Sequence, residues 1–192
     1  VFPFLLFSGY AGSLADRLSK RRVLVTVKVF EIVVMLFSTA GIVTNRIDLL
    51  LVSIFLMGTH STFFSPAKYG IVPELLPDAE LSRANGLLEM STFGAIVLGT
   101  AFGGELFERW HDRPYVIAGT LIAIAVAGLV TSLGVPRVAA ARPLAPVALN
   151  PFAEVWRGTV RMWPDRTLWM TMIGVSYFWF LGALLNIALL PF

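Results

Sequence analysis

Charged residues are unevenly spread along the chain, and the stretches between them predict helices. Residues 167–192 contain no charge in 26 positions, and residues 115–135 none in 21. A helix rises 1.5 Å per residue, so about 20 apolar residues cross a hydrocarbon core about 30 Å thick. Residues 23–43 form a third such run, broken only by Lys28 and Glu31. Residues 47–65 carry Asp48 at their edge, and residues 86–104 carry one charge, Glu89. Residues 1–14 are apolar but too short to span alone. No run alternates with the period of two that a strand requires. Helices of soluble domains average about 11–12 residues and show a polar face. Five runs of about 20 residues without such a face predict an all-α, polytopic helical membrane protein, with five full spans and one partial span.

Composition agrees and excludes several classes. Of 192 residues, 57% are hydrophobic and 14% charged, against about 45–50% and about 25% in an average soluble domain. Disorder needs the opposite balance. The absence of cysteine excludes a disulfide framework, a zinc finger and thiol catalysis. The chain begins at Val1 within one apolar run and ends at Phe192 straight after another, so it is expected to be a piece of a longer polytopic protein. Residues 1–14 lack the basic start and the cleavage signal of a signal peptide.

The net charge of +3 raises the question of nucleic acid, and its distribution answers it. Arg17, Lys20, Arg21 and Arg22 lie in the first gap between runs, Lys68 and Arg83 in the third, and Arg137, Arg142, Arg157, Arg161 and Arg166 in the fifth. The second gap holds only Arg46, and the fourth holds Arg109 and Arg113. Basic residues remain on the cytoplasmic side. Odd gaps, with eleven basic residues against three, are therefore expected to be cytoplasmic: loops 14–22, 67–85 and 136–166. The positive charge reflects orientation in a membrane, and no nucleic-acid partner is expected.

The fifth gap divides the chain into residues 1–135, a linker of residues 136–166, and residues 167–192. Its first part is rich in Pro and Ala. Asn150-Pro151 is a helix start, with Asn as cap and Pro at the first helical position. Phe152, Val155, Trp156, Thr159 and Trp163 then share one face, and Glu154, Arg157 and Arg161 lie opposite. Such a helix suits either a membrane interface or packing on protein.

The first gap reads Gly12-Ser-Leu-Ala-Asp16-Arg17-Leu-Ser19-Lys20-Arg21-Arg22. It resembles the signature loop joining helices two and three of the major facilitator superfamily of transporters. Gly12, Asp16, Arg17, Lys20 and Arg21 match that pattern, and Ser19 replaces its second Gly. The resemblance implies a major facilitator fold, of which this chain holds helices two to seven of twelve. Residues 1–135 are then the N-terminal half without its first helix, and residues 167–192 the first helix of the other half. It also implies a gate: Gly12 allows close helix approach, and Asp16 accepts hydrogen bonds from a facing helix N-terminus or Arg in one conformation only. Substrate is expected near mid-membrane, between the halves.

The third gap contains Ser65-Pro66-Ala67-Lys68-Tyr69-Gly70-Ile71, then Pro73-Glu74-Leu75-Leu76-Pro77 and Arg83-Ala84-Asn85. The later stretches are similar to many facilitator exporters. The first is similar to the bacterial lysophospholipid transporter branch, which is sometimes fused to a phospholipid acyltransferase and an acyl-carrier-protein ligase. The resemblance implies inward movement of lysophosphatidylethanolamine-like lipid across the bacterial inner membrane by alternating access, with membrane lipids and those acylating domains as partners. The alternatives are a drug or siderophore exporter of the same superfamily, and the membrane module of a fused acyltransferase–ligase. The run Met57-Gly58-Thr59-His60-Ser61 lacks the Arg of many proton-driven exporters, and Gly99-x-x-x-Gly103-Gly104 lacks the antiporter Pro. Gly99 and Gly103 also suit a closely packed helix pair.

Ionisable groups within spans are costly and usually paired or functional. Lys28 and Glu31 lie three apart and share a helix face, so they pair with each other, or meet a zwitterionic headgroup; alternatively, Lys28 snorkels to the interface. Glu89 is expected in the first turn of its helix, where it either rests on the favourable dipole alone or belongs to a substrate or charge network. His60 either hydrogen-bonds between helices or carries protons. By the resemblance, His60 and Asn186 line the cavity and Lys68 holds a lipid headgroup. No metal cluster, cofactor loop or catalytic constellation is present in the sequence, so no metal, cofactor or enzymatic activity is expected.

Overall fold

A computed structural model describes residues 2–141, 143 and 150–189, with residues 151, 154 and 185–189 described by backbone alone. Among the described residues the elements are α1 (Phe2–Arg17), α2 (Lys20–Thr44), α3 (Ile47–Gly70), α4 (Val72–Leu75), α5 (Asp78–Trp110), α6 (Pro114–Leu133), α7 (Pro151–Met162) and α8 (Arg166–Leu189), with no strand. Five helical stretches are long and apolar enough to cross a membrane: α2, α3 continued into α4, α5, α6 and α8. At 16 residues, α1 reaches about 24 Å and is the partial span.

Residues 1–149 and 150–192 form two compact units. In the first, α2 is the hub. It packs along α3 and α6, and α1 packs on α3. The buried face of α2 runs through Val23, Leu24, Val27, Val34, Ser38 and Gly41, the three-and-four spacing of one helix stripe. Val23, Leu24 and Val27 meet Ala67 of α3 and Ile71 just beyond its end in the apolar core, and Val135 and Val138 close over it. Hydroxyls on the spans donate one turn back: Ser38 to Val34 O, Ser53 to Leu49 O, Thr62 to Gly58 O and Thr120 to Val116 O. Each therefore enters the apolar medium already partnered. The α2–α3 turn is closed by Asn45 at φ 51°, a left-handed conformation that Asn tolerates, while the Arg46 N–H reaches Gly41 O at 3.0 Å.

The structure corrects two expectations here. The stretch 67–85 is mostly helix rather than loop: α3 continues through Pro66 to Gly70, α4 follows, and α5 starts at Asp78. With 33 residues, α5 is about 50 Å long. None of its described residues is buried. Gly99 and Gly103 face open space, so the close helix pairing expected of them does not occur among the described residues.

In the second unit, Asn150 Oδ1 accepts from the N–H groups of Phe152 (3.0 Å) and Ala153 (3.2 Å), with Pro151 beginning α7. Phe152, Val155, Trp156, Val160 and Trp163 are exposed. Asp165 Oδ1 accepts from the N–H groups of Thr167 and Leu168 at the start of α8, and the Trp163 and Trp169 rings stand 4.7 Å apart.

Candidate functional site

The Gly12–Arg21 motif forms the end of α1, a two-residue link and the first turn of α2. Ser19 has φ −60° and caps α2, its Oγ accepting from Arg22 N–H at 3.3 Å. The link needs no positive φ, so a serine in place of the family's second glycine costs nothing and adds a cap. Lys20 is only 4% exposed. Its ammonium passes Gly70, where a Cβ would stand 2.7 Å from Lys20 Cε, and pairs with Glu74 of α4. Arg21 Nη donates to Leu133 O at 2.8 Å, which sets a cation on the C-terminal end of α6, the favourable end of its dipole. Arg17 lies beside Tyr10, Ser13 and Phe63. Asp16 is exposed and forms no ion pair among the described residues. Gly12 has open space where a Cβ would lie among the described residues.

Deeper in the bundle, the Lys28–Glu31 spacing becomes a real ion pair at 2.6 Å. Lys28 does not snorkel out. Its ammonium lies 5.0 Å over the Phe64 ring and against Gly128 of α6, where a Cβ would stand 3.2 Å away. His60 of α3 joins from across the helix crossing, with Nε2 at 3.2 Å from Glu31 Oε2. That approach is off the line of a hydrogen bond, and both imidazole nitrogens are buried without a hydrogen-bond partner. The ring stacks on Phe64 at 5.7 Å. One carboxylate is thus shared by an ammonium and an imidazole in an apolar surround, where charges interact strongly.

Lys68 and Tyr69 tie the end of α3 to α5. Lys68 Nζ donates to Thr92 Oγ1 at 2.5 Å, and Tyr69 Oη donates to Glu89 Oε1 at 2.7 Å. Glu89 is the twelfth residue of α5, not in its first turn, so the helix-dipole explanation of that acid is corrected: the dipole acts within the first turn. Glu89 is instead an acceptor for Tyr69. Lys68 is half-buried, with a hydroxyl and the Tyr69 ring as partners, and forms no ion pair among the described residues.

Lys28 and Lys68 open into one cleft of about 400 Å³, walled otherwise by apolar groups such as Leu24, Phe64, Ile71 and Val135. Ile71, Leu75 and Leu88 are shared with a second, almost wholly apolar groove of about 580 Å³ between α4 and α5. Two cations thus line the first cleft, and part of its apolar wall also lines the second groove. Gly128, in the cleft wall, Thr92, the partner of Lys68, and Glu74, the partner of Lys20, were not named as candidate site residues in the sequence. The side chain of Asn186 lies outside the described residues.

Long apolar helices, hydroxyls satisfied within their own turns and an ion pair held between spans define a multi-pass helical membrane protein. The sequence profile of the Major Facilitator Superfamily matches residues 1–192, and the chain belongs to that superfamily. It is 32% identical over 192 residues to the lysophospholipid transporter LplT of Klebsiella pneumoniae, covering 98% of this chain and 46% of that protein. It is 34% identical over 191 residues to LplT of Citrobacter koseri, with 98% and 46% covered. With LplT of Salmonella gallinarum it shares 33% over 191 residues, with 98% and 45% covered. The chain thus spans just under half the length of these curated relatives. No solved structure matches it.

Proposed function

We propose that the protein carrying this chain moves a lysophospholipid across the bacterial inner membrane by alternating access. The carrying observation is Lys68, a half-buried cation whose partners are a hydroxyl and a ring and which forms no ion pair among the described residues, in a cleft whose Ile71, Leu75 and Leu88 also line an apolar groove. A single-chain phospholipid has the matching form: one phosphate and one acyl chain. Lys68 receives the phosphate with help from Lys28, while Leu75, Leu87 and Leu88 line the groove that receives the chain. The name of the LplT relatives supports this substrate. The excess of basic residues in gaps one, three and five supports an orientation with those ends in the cytoplasm. Lipid delivered to that leaflet is then a substrate for re-acylation, by an acyltransferase and acyl-carrier-protein ligase in the same or a neighbouring chain.

The test is inward flipping of labelled lysophosphatidylethanolamine by the whole protein in vesicles. Wild-type protein is expected to flip it. Lys68→Gln is expected to slow flipping about tenfold, consistent with loss of a charge-assisted hydrogen bond, and Lys68→Arg to retain most of the activity. No flipping, together with efflux of drugs, would refute the assignment.

A further inference from the structure

A second charged cleft lies at the start of α2 and the end of α6. It holds about 620 Å³ and is walled by Arg21, Arg22 and Arg137, with Val25, Leu133 and Val138 as apolar shoulders. Among the described residues no carboxylate lines it, and it shares no lining residue with the Lys28–Lys68 cleft. None of the three arginines forms an ion pair among the described residues. Arg21 is held in place by Leu133 O, and its Nε is buried without a partner. Three guanidinium groups around one cleft repel each other, and an anion between them turns that repulsion into attraction. The guanidinium fork matches phosphate oxygens two at a time. The valine and leucine shoulders suit the glycerol and first methylenes that follow a lipid phosphate.

From these features we infer that the cleft binds the phosphate headgroup of an anionic phospholipid resident in the adjoining leaflet. The lipid bridges Arg22 on α2 and Arg137 beyond α6, and so clasps the ends of the two helices together. Its lining is separate from that of the proposed substrate cleft.

The experiment uses the whole protein, delipidated in a neutral detergent and titrated with phosphatidylglycerol, phosphatidylcholine or glycerol 3-phosphate. Arg22→Gln/Arg137→Gln leaves Arg21 to cap α6, and Arg109→Gln/Arg113→Gln removes the same charge elsewhere. Phosphatidylglycerol is expected to bind more tightly than phosphatidylcholine. Its affinity is expected to fall about 10–30-fold in the first variant and to be unchanged in the second. Arg22→Lys/Arg137→Lys, which keeps the charge, is expected to retain most of the binding if the first variant loses it by charge rather than by misfolding. Equal losses in both glutamine variants, no loss in the first, or equal binding of the two lipids overturns the inference. Glycerol 3-phosphate binding as tightly as phosphatidylglycerol, and lost in the same variant, assigns the cleft to a soluble phosphate ester and overturns the lipid assignment.

Discussion

Glu31 meets two side chains at once, the ammonium of Lys28 at 2.6 Å and the imidazole of His60 at 3.2 Å. The first contact was legible in the sequence, because a three-residue spacing puts both groups on one helix face whatever else the chain does. The second was not, because it depends on how α2 crosses α3. The same holds for Lys20 and Glu74, 54 positions apart. A buried charge loses more when its partner is removed than when both are replaced by apolar groups. Lys28→Met is therefore expected to destabilise the whole protein by about 1–3 kcal/mol, and Lys28→Met/Glu31→Leu by less than that single change. Thermal unfolding in detergent measures both, and additive losses would contradict the pairing. Ser19 gives the opposite lesson. By family pattern it is a departure, yet its own chemistry makes it an N-cap, which a sequence reading focused on the missing glycine passes over.

At the scale of elements, the lengths of α2 and α6 followed from the distribution of charge, because the bilayer imposes one length on every span. The beginning of α5 did not. Asp78, Glu80 and Arg83 are polar, and polarity marks the end of an apolar run without marking the end of a helix. At about 50 Å, α5 exceeds a hydrocarbon core of about 30 Å, so its first turns stand in water. The chain has no cysteine, which makes this directly measurable. Ser82→Cys is expected to react with a membrane-impermeant maleimide from the cytoplasmic side only, and Gly99→Cys from neither side. Labelling of Ser82→Cys from outside would reverse the orientation, and strong labelling of Gly99→Cys would place that stretch in water. The tethers of α5 also follow from this length: Tyr69 reaches Glu89 and Lys68 reaches Thr92 three residues later, on the same face of the helix.

For the whole molecule, the number of candidate spans came from hydrophobicity and charge alone, while the pairing of helices did not. Apolar surfaces of similar composition do not encode which helix meets which, and membrane packing depends on local shape. The alternating access proposed above involves both halves together, and the proposal gives Asp16 a part in it: this exposed carboxylate lies at the C-terminal end of α1, where the helix dipole repels it unless a cation from a facing segment arrives. Asp16→Ala is expected to impair flipping at least several-fold while membrane insertion, followed by labelling of Ser82→Cys, is unchanged; normal flipping would remove its gating role. The packing of α6 against α2 has a consequence for synthesis. The ribosome delivers α5 before α6, yet it is Gly128 of α6 that Lys28 rests against. Throughout translation of residues 45–113, the flank of α2 that receives α6 is still open to lipid. Assembly of this bundle therefore follows a different order from its synthesis, and the nascent chain carries Lys28 incompletely covered until α6 is in place.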